Sequence, residues 1–218
     1  MWPSSFVLLC TLALAGGRRV PREVPTPAPT PYVSPDMTNM EQVYYFLCLQ
    51  ADVIKPGEVC MFHAPAGAFG LGHAGWAYKA IADNTWYFGS TEDLGGELWV
   101  TVGLPAADWS WWRHGTEAQV RDTFKNRLVI NGKEYHSAGY YTEYRCKTTK
   151  VAHLADAFEG LRYAMGSGYD VNFDNCLTKS IYVFMKYDPG LGLEDGHDTG
   201  PTSYFNSKLT GFGPVYAV

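Results

Sequence analysis

Charge is scarce in this 218-residue chain: 18% of its residues are Asp, Glu, Lys or Arg, and the net charge is −5. That leaves no basic footprint for nucleic acid, and the mild acidity disfavours anionic polymers and anionic lipid as partners. Paired metal-ligand spacings are also missing. There is no CxxC, HExxH or EF-hand pattern, and His63 and His73 alone do not make a site, so neither a metal nor a cofactor is expected. No apolar run reaches the roughly 20 residues that anchor a chain across a bilayer. Internal repeats are absent. The composition is 46% hydrophobic and 15% aromatic, with seven Trp and fifteen Tyr. A chain of this length and composition suits one domain with a substantial core.

The apolar run at residues 6–15 (FVLLCTLALA) ends in small residues at alternate positions and is followed by Gly16-Gly17. This reads as a secretory signal peptide over 1–15, with a buried hydrophobic helix as the competing reading because no Lys or Arg precedes the run. A secreted, extracellular protein is therefore expected. Residues 16–36 carry Pro21, Pro25, Pro27, Pro29, Pro31 and Pro35 and read as an extended linker, with Arg18-Arg19 as a dibasic processing site. The folded domain is expected over 37–218. Removal of the signal takes Cys10 away and leaves Cys48, Cys60, Cys146 and Cys176 in a disulfide-permissive compartment. Two disulfides fit that number, and so do one disulfide and two thiols.

Within the domain, residues 40–50 fit helix or strand. Residues 58–63 read as a strand, 64–72 as a glycine-rich loop, 73–81 as a strand and 85–90 as its return, an antiparallel hairpin turning at Ala82-Asp83-Asn84. Trp99, Trp109, Trp111 and Trp112 crowd the next stretch. Thr116 is placed to cap a helix over 116–128, and Asn131-Gly132 marks a hairpin. Residues 150–165 have helical spacing, and 169–173 alternate like a short strand. Asp174 and Asn175 are N-cap types ahead of an amphipathic helix over 176–187, which Asp188-Pro189-Gly190 stops. Residues 190–203 read as a loop before a short aromatic tail.

Cys176 is the residue best placed for chemistry. At the first position of a helix, unpaired amides and the positive end of the dipole stabilise a thiolate. Without such help or an adjacent base, a thiol is mostly protonated at neutral pH. The bland alternatives are a buried small hydrophobe and a disulfide half. His73, where the glycine loop enters a strand, is the candidate base, and His63 at the end of the preceding strand is its rival. The hairpin puts His73 opposite Glu92, and a two-residue slip would bring Ser90 instead. A non-catalytic secreted binder with an aromatic groove around Trp109, Trp111 and Trp112 is the competing reading from another class.

Lys55-Pro56-Gly57-Glu58-Val59 followed by Gly72-His73-Ala74-Gly75-Trp76-Ala77-Tyr78 resembles the strand–loop–strand core of the NlpC-like, papain-like thiol hydrolases. Asp174-Asn175-Cys176 at a helix start resembles their nucleophile helix. With His ahead of Cys, the order is similar to the circularly permuted branch, which includes the lecithin–retinol acyltransferase-like proteins. The likeness covers residues 55–92 and 169–187, more faintly 201–205, and leaves 93–150 unmatched as a middle insertion. It implies an α+β fold with a small antiparallel sheet packed on the nucleophile-bearing helix. It also implies Cys176 as nucleophile, His73 as base and Glu92 or Ser90 as the third group. The implied reaction is amide hydrolysis on a peptide or peptidoglycan-like substrate, with ester hydrolysis or acyl transfer on a small acyl substrate as the variant.

Overall fold

The computed structural model describes residues 56–80, 84–92, 110–167, 169–170 and 173–218. The expected signal peptide, the linker, residues 40–50, Cys48, Trp99 and Trp109 lie outside the described residues.

Six strands form one antiparallel sheet: β1 (Glu58–Ala64), β2 (His73–Lys79), β3 (Trp86–Thr91), β4 (Ser110–Gly115), β7 (Glu143–Thr148) and β8 (Tyr216–Ala217), in the order β4-β3-β2-β1-β7-β8. Alternation along the strands divides their side chains between two cores. Val59, Met61, Ala74, Trp76, Tyr78 and Tyr87 face one side, and Cys60, Phe62, Ala77, Trp86, Phe88 and Trp111 face the other. The first side is covered by helices α2 (Leu154–Gly166), α3 (Cys176–Tyr187) and α4 (Pro201–Ser207). The second is covered by α1 (Glu117–Lys125) and the hairpin of β5 (Leu128–Ile130) and β6 (Lys133–His136). The chain is thus a mixed α+β fold with an antiparallel sheet between two layers. Among the described residues no helix is long and apolar enough to cross a membrane.

The local signals act where the sequence places them. Thr116 caps α1 with a capping box, accepting from the Gln119 amide at 3.3 Å. That helix stops three residues short of Leu128, because Asn126 turns to an extended backbone and Leu128 is claimed by β5. Asn131 and Gly132 take φ values of 52° and 80°, as a two-residue hairpin turn requires. Segment 190–203 is not all loop, since α4 begins inside it at Pro201. Of residues 169–173, where a short strand is expected, 171 and 172 lie outside the described residues. Asp170 and Asp174 exchange backbone hydrogen bonds of 3.0 and 2.9 Å as an isolated antiparallel bridge, and the Asp170 carboxylate accepts from the Phe173 amide at 3.1 Å.

Segment 93–150 supplies β4 and β7 to the main sheet, so its described part is integral to the layer that carries His73. Trp111 and Trp112 point to opposite faces of β4. Trp111 is 2% exposed in the second core, and Trp112 packs on the first.

Candidate active site

Helix α3 begins at Cys176 because Asn175 stops the backbone in an extended conformation and turns its side chain onto the helix. Asn175 Oδ1 accepts from the Leu177 and Thr178 amides at 2.9 and 3.1 Å, and Thr178 Oγ1 accepts from the Asn175 amide at 2.9 Å. This reciprocal cap satisfies the first helical amides that a carbonyl cannot reach. Leu177, Ile181, Val183, Phe184 and Tyr187 hold the helix against the sheet, each such burial contributing about 1.5–3 kcal/mol.

His73 enters β2 from a loop whose last residue must be glycine. Gly72 has φ of +93°, and a Cβ there would lie 2.3 Å from Thr202 Oγ1 and 2.9 Å from His63 Nε2. The hairpin register pairs Gly75 with Ser90 and Tyr78 with Tyr87. Carried two residues further, it sets His73 opposite Glu92. His73 Nε2 lies 2.8 Å from Glu92 Oε2 and 3.0 Å from Ser90 Oγ, so both candidate third residues touch the imidazole. The buried Cys176 thiol at the start of α3 interacts electrostatically with the same ring. Cys176, His73 and Glu92 are each 3% exposed.

Burial is the largest influence on both charged partners, and their contacts overcome it. It lowers the His73 affinity for a proton, but the neighbouring Cys176 and Glu92, as charges and as hydrogen-bond partners, raise it well above the ordinary value. Burial likewise raises Glu92, while the His73 charge and hydrogen bonds from His73 and Trp111 bring it below the ordinary carboxylate value. The His73 imidazolium and the Glu92 carboxylate each favour the other's charged form.

The rival histidine is engaged elsewhere. His63 Nδ1 lies 2.8 Å from Glu143 Oε1 and its Nε2 3.1 Å from Thr202 Oγ1, and its ring stacks on Phe205 at 4.5 Å. Burial holds it below the ordinary value for histidine, against the pull of Glu143. Cys60 on β1 and Cys146 on β7 form a disulfide, and Cys176 is a free thiol. Two orientating contacts on Glu92 were not anticipated from the sequence. Trp111 Nε1 donates to Glu92 Oε1 at 2.9 Å, and Tyr141 Oη lies 3.0 Å from the same oxygen and 2.9 Å from Ser90 Oγ. Lys179 was also missed, although a lysine on the apolar face of a helix is a visible signal. It is 1% exposed and donates to the carbonyls of Ala164 and Ser167 at 3.2 and 3.3 Å.

Compared with protein family models, with curated proteins and with solved structures, the chain finds no match.

Proposed function

We propose that this protein is a secreted cysteine hydrolase of the papain-like, NlpC-like kind, acting on an amide bond through an acyl-thioester. The observation that carries the reading is the buried His73–Glu92 contact, with the free Cys176 thiol at a helix start interacting with the same imidazole. A nucleophile, a base and a group that orients the base are the parts that such chemistry needs.

His73 takes the thiol proton, and the sulfur attacks the carbonyl carbon. The S–C bond forms as the carbonyl π pair moves to oxygen, and the Cys176 amide at the helix start donates to that oxyanion. Collapse breaks the C–N bond, and the amine leaves with the proton from His73. Water then adds to the thioester, giving its proton to His73, and the sulfur departs as thiolate. Peptides and cell-wall peptides are the substrate class. Ester hydrolysis and acyl transfer would use the same first step. The aromatic-groove alternative draws nothing from Trp111 and Trp112, which are occupied in the two cores.

Alkylation of the non-reduced protein with iodoacetamide, mapped by mass spectrometry, tests the reading. Cys176 is expected to label at neutral pH and below, where a free thiol is slow, and His73→Ala is expected to abolish the low-pH labelling. A disulfide-linked peptide containing Cys176, or labelling indifferent to His73, overturns it.

A further inference from the structure

Glu92 can orient His73 only if it is itself held. Its carboxylate is 3% exposed and divides its oxygens between two jobs. Oε2 faces His73 Nε2, while Oε1 takes the indole N–H of Trp111. An indole nitrogen only donates, so Oε1 must accept. Tyr141 brings one further proton, with two acceptors in reach. Its hydroxyl lies 3.0 Å from Oε1 and 2.9 Å from Ser90 Oγ, and Ser90 sends its own proton to the Ala74 carbonyl at 3.1 Å. Ser90 Oγ is therefore left as an acceptor, facing His73 Nε2 and the phenol. The single phenol proton is thus shared between Glu92 Oε1 and Ser90 Oγ.

Resting on the cysteine-hydrolase reading above, we infer that Tyr141 is a positioning residue of the reaction: its phenol fixes the Glu92 carboxylate and the Ser90 hydroxyl so that His73 is presented to Cys176 in one orientation. Tyr141 reaches the site from the segment between β6 and β7, and it is 1% exposed. Its ring is clamped by Phe124 of α1 at 4.8 Å, by His136 of β6 at 5.2 Å and by His73 itself at 5.9 Å. Trp111 arrives on β4. Both donors to Oε1 thus come from the stretch between Glu92 and α2, so that stretch completes the site as well as the sheet. The hydroxyl is separable from the ring: Phe at 141 keeps the packing and removes the donor.

The test compares wild type, Tyr141→Phe and His73→Ala by the pH dependence of iodoacetamide alkylation at Cys176 and by thermal melting. Tyr141→Phe is expected to melt cooperatively and to lose about tenfold in the low-pH alkylation rate, the size of one hydrogen bond to a charged group. The midpoint of that His73-dependent limb should shift as well. A lowered melting temperature with an unchanged alkylation profile would make the hydroxyl merely structural and overturns the proposal. If wild type itself shows no His73-dependent limb, the hydrolase reading fails first and this inference fails with it. Should Tyr141→Phe not fold, 3-fluorotyrosine placed at position 141 keeps ring and donor while changing the donor's acidity. A shifted limb then supports the role and an unshifted one overturns it.

Discussion

Three buried side chains, His73, Glu92 and His63, bend the pH dependence of this protein in different directions. Glu92 lies below its ordinary value of 4.5, so its contribution to stability is full above that value and is lost as pH falls through the folded value. His73 lies well above 6.5, so its contribution is full below 6.5 and is lost as pH rises through the folded value. His63 lies below 6.5, so protonating it opposes the fold as pH falls through 6.5. Ring NMR should therefore find His73 titrating above 6.5 and the buried His63 and His136 below it. The reverse assignment would move the base to His63. Glu92→Gln adds a sharper expectation. The amide carbonyl can still take Trp111 and Tyr141, but its NH2 then faces His73 Nε2. With Nε2 made an acceptor, the neutral ring carries its proton on Nδ1, and neither nitrogen is left to take the thiol proton. Alkylation of Cys176 at neutral pH should fall by about a hundredfold or more, while stability measured by urea melts changes by only about 1 kcal/mol. A large loss of stability with normal alkylation would contradict this account.

At the scale of elements, the nucleophile depends on how two helix ends are joined. Asn175 ties down the start of α3, and Lys179, one turn on, reaches the Ala164 and Ser167 carbonyls at the end of α2. Asn175→Ala should cost about 1–2 kcal/mol and slow Cys176 alkylation, and Asn175→Ser should restore most of both. Equal alkylation in all three proteins would show that the cap serves the helix alone. Lys179→Ala should cost about 2–4 kcal/mol by removing buried packing together with two hydrogen bonds. Burial brings the Lys179 ammonium down to about 8, even with Asp174 and Cys176 favouring its charge. These elements also separate what was legible in the sequence from what was not. The Asn175 cap, the Thr116 cap, the Asn131-Gly132 turn and the His73–Glu92 register are short-range, so neighbouring residues specify them. Tyr141, Trp111 and Lys179 meet their partners through the sheet and the helix pair, and no spacing along the chain encodes that. Choosing between Glu92 and Ser90 as the third group had no answer in the sequence, because the imidazole touches both.

For the whole molecule, the decisive covalent feature is the tie between β1 and β7. Cys60 and Cys146 sit opposite each other in the sheet register and are 86 residues apart in the chain. The loop they close contains β2, β3, β4, α1 and the β5–β6 hairpin, and with them His73, Ser90, Glu92, Trp111 and Tyr141. Cys176 and its helix lie outside that loop and meet it only through noncovalent contacts, among them the Tyr187 hydroxyl donating to the Lys79 carbonyl at 2.7 Å. The bond therefore restricts the half of the site that holds the base and leaves the nucleophile's half untouched. Closing a loop of this length removes chain entropy from the unfolded state worth roughly 4–5 kcal/mol as an upper figure. Replacing both cysteines (Cys60→Ala with Cys146→Ala) should lower the unfolding free energy in urea by a large part of that amount, because little in the native contacts of either half depends on the sulfurs. Below the transition, the surviving Cys176 should alkylate with the wild-type pH profile. In mild urea that profile should fail before global unfolding, since the layer carrying His73 and Glu92 loses its tie first. If the pH profile changes in water while the melt does not, the disulfide belongs to the site and not to the scaffold.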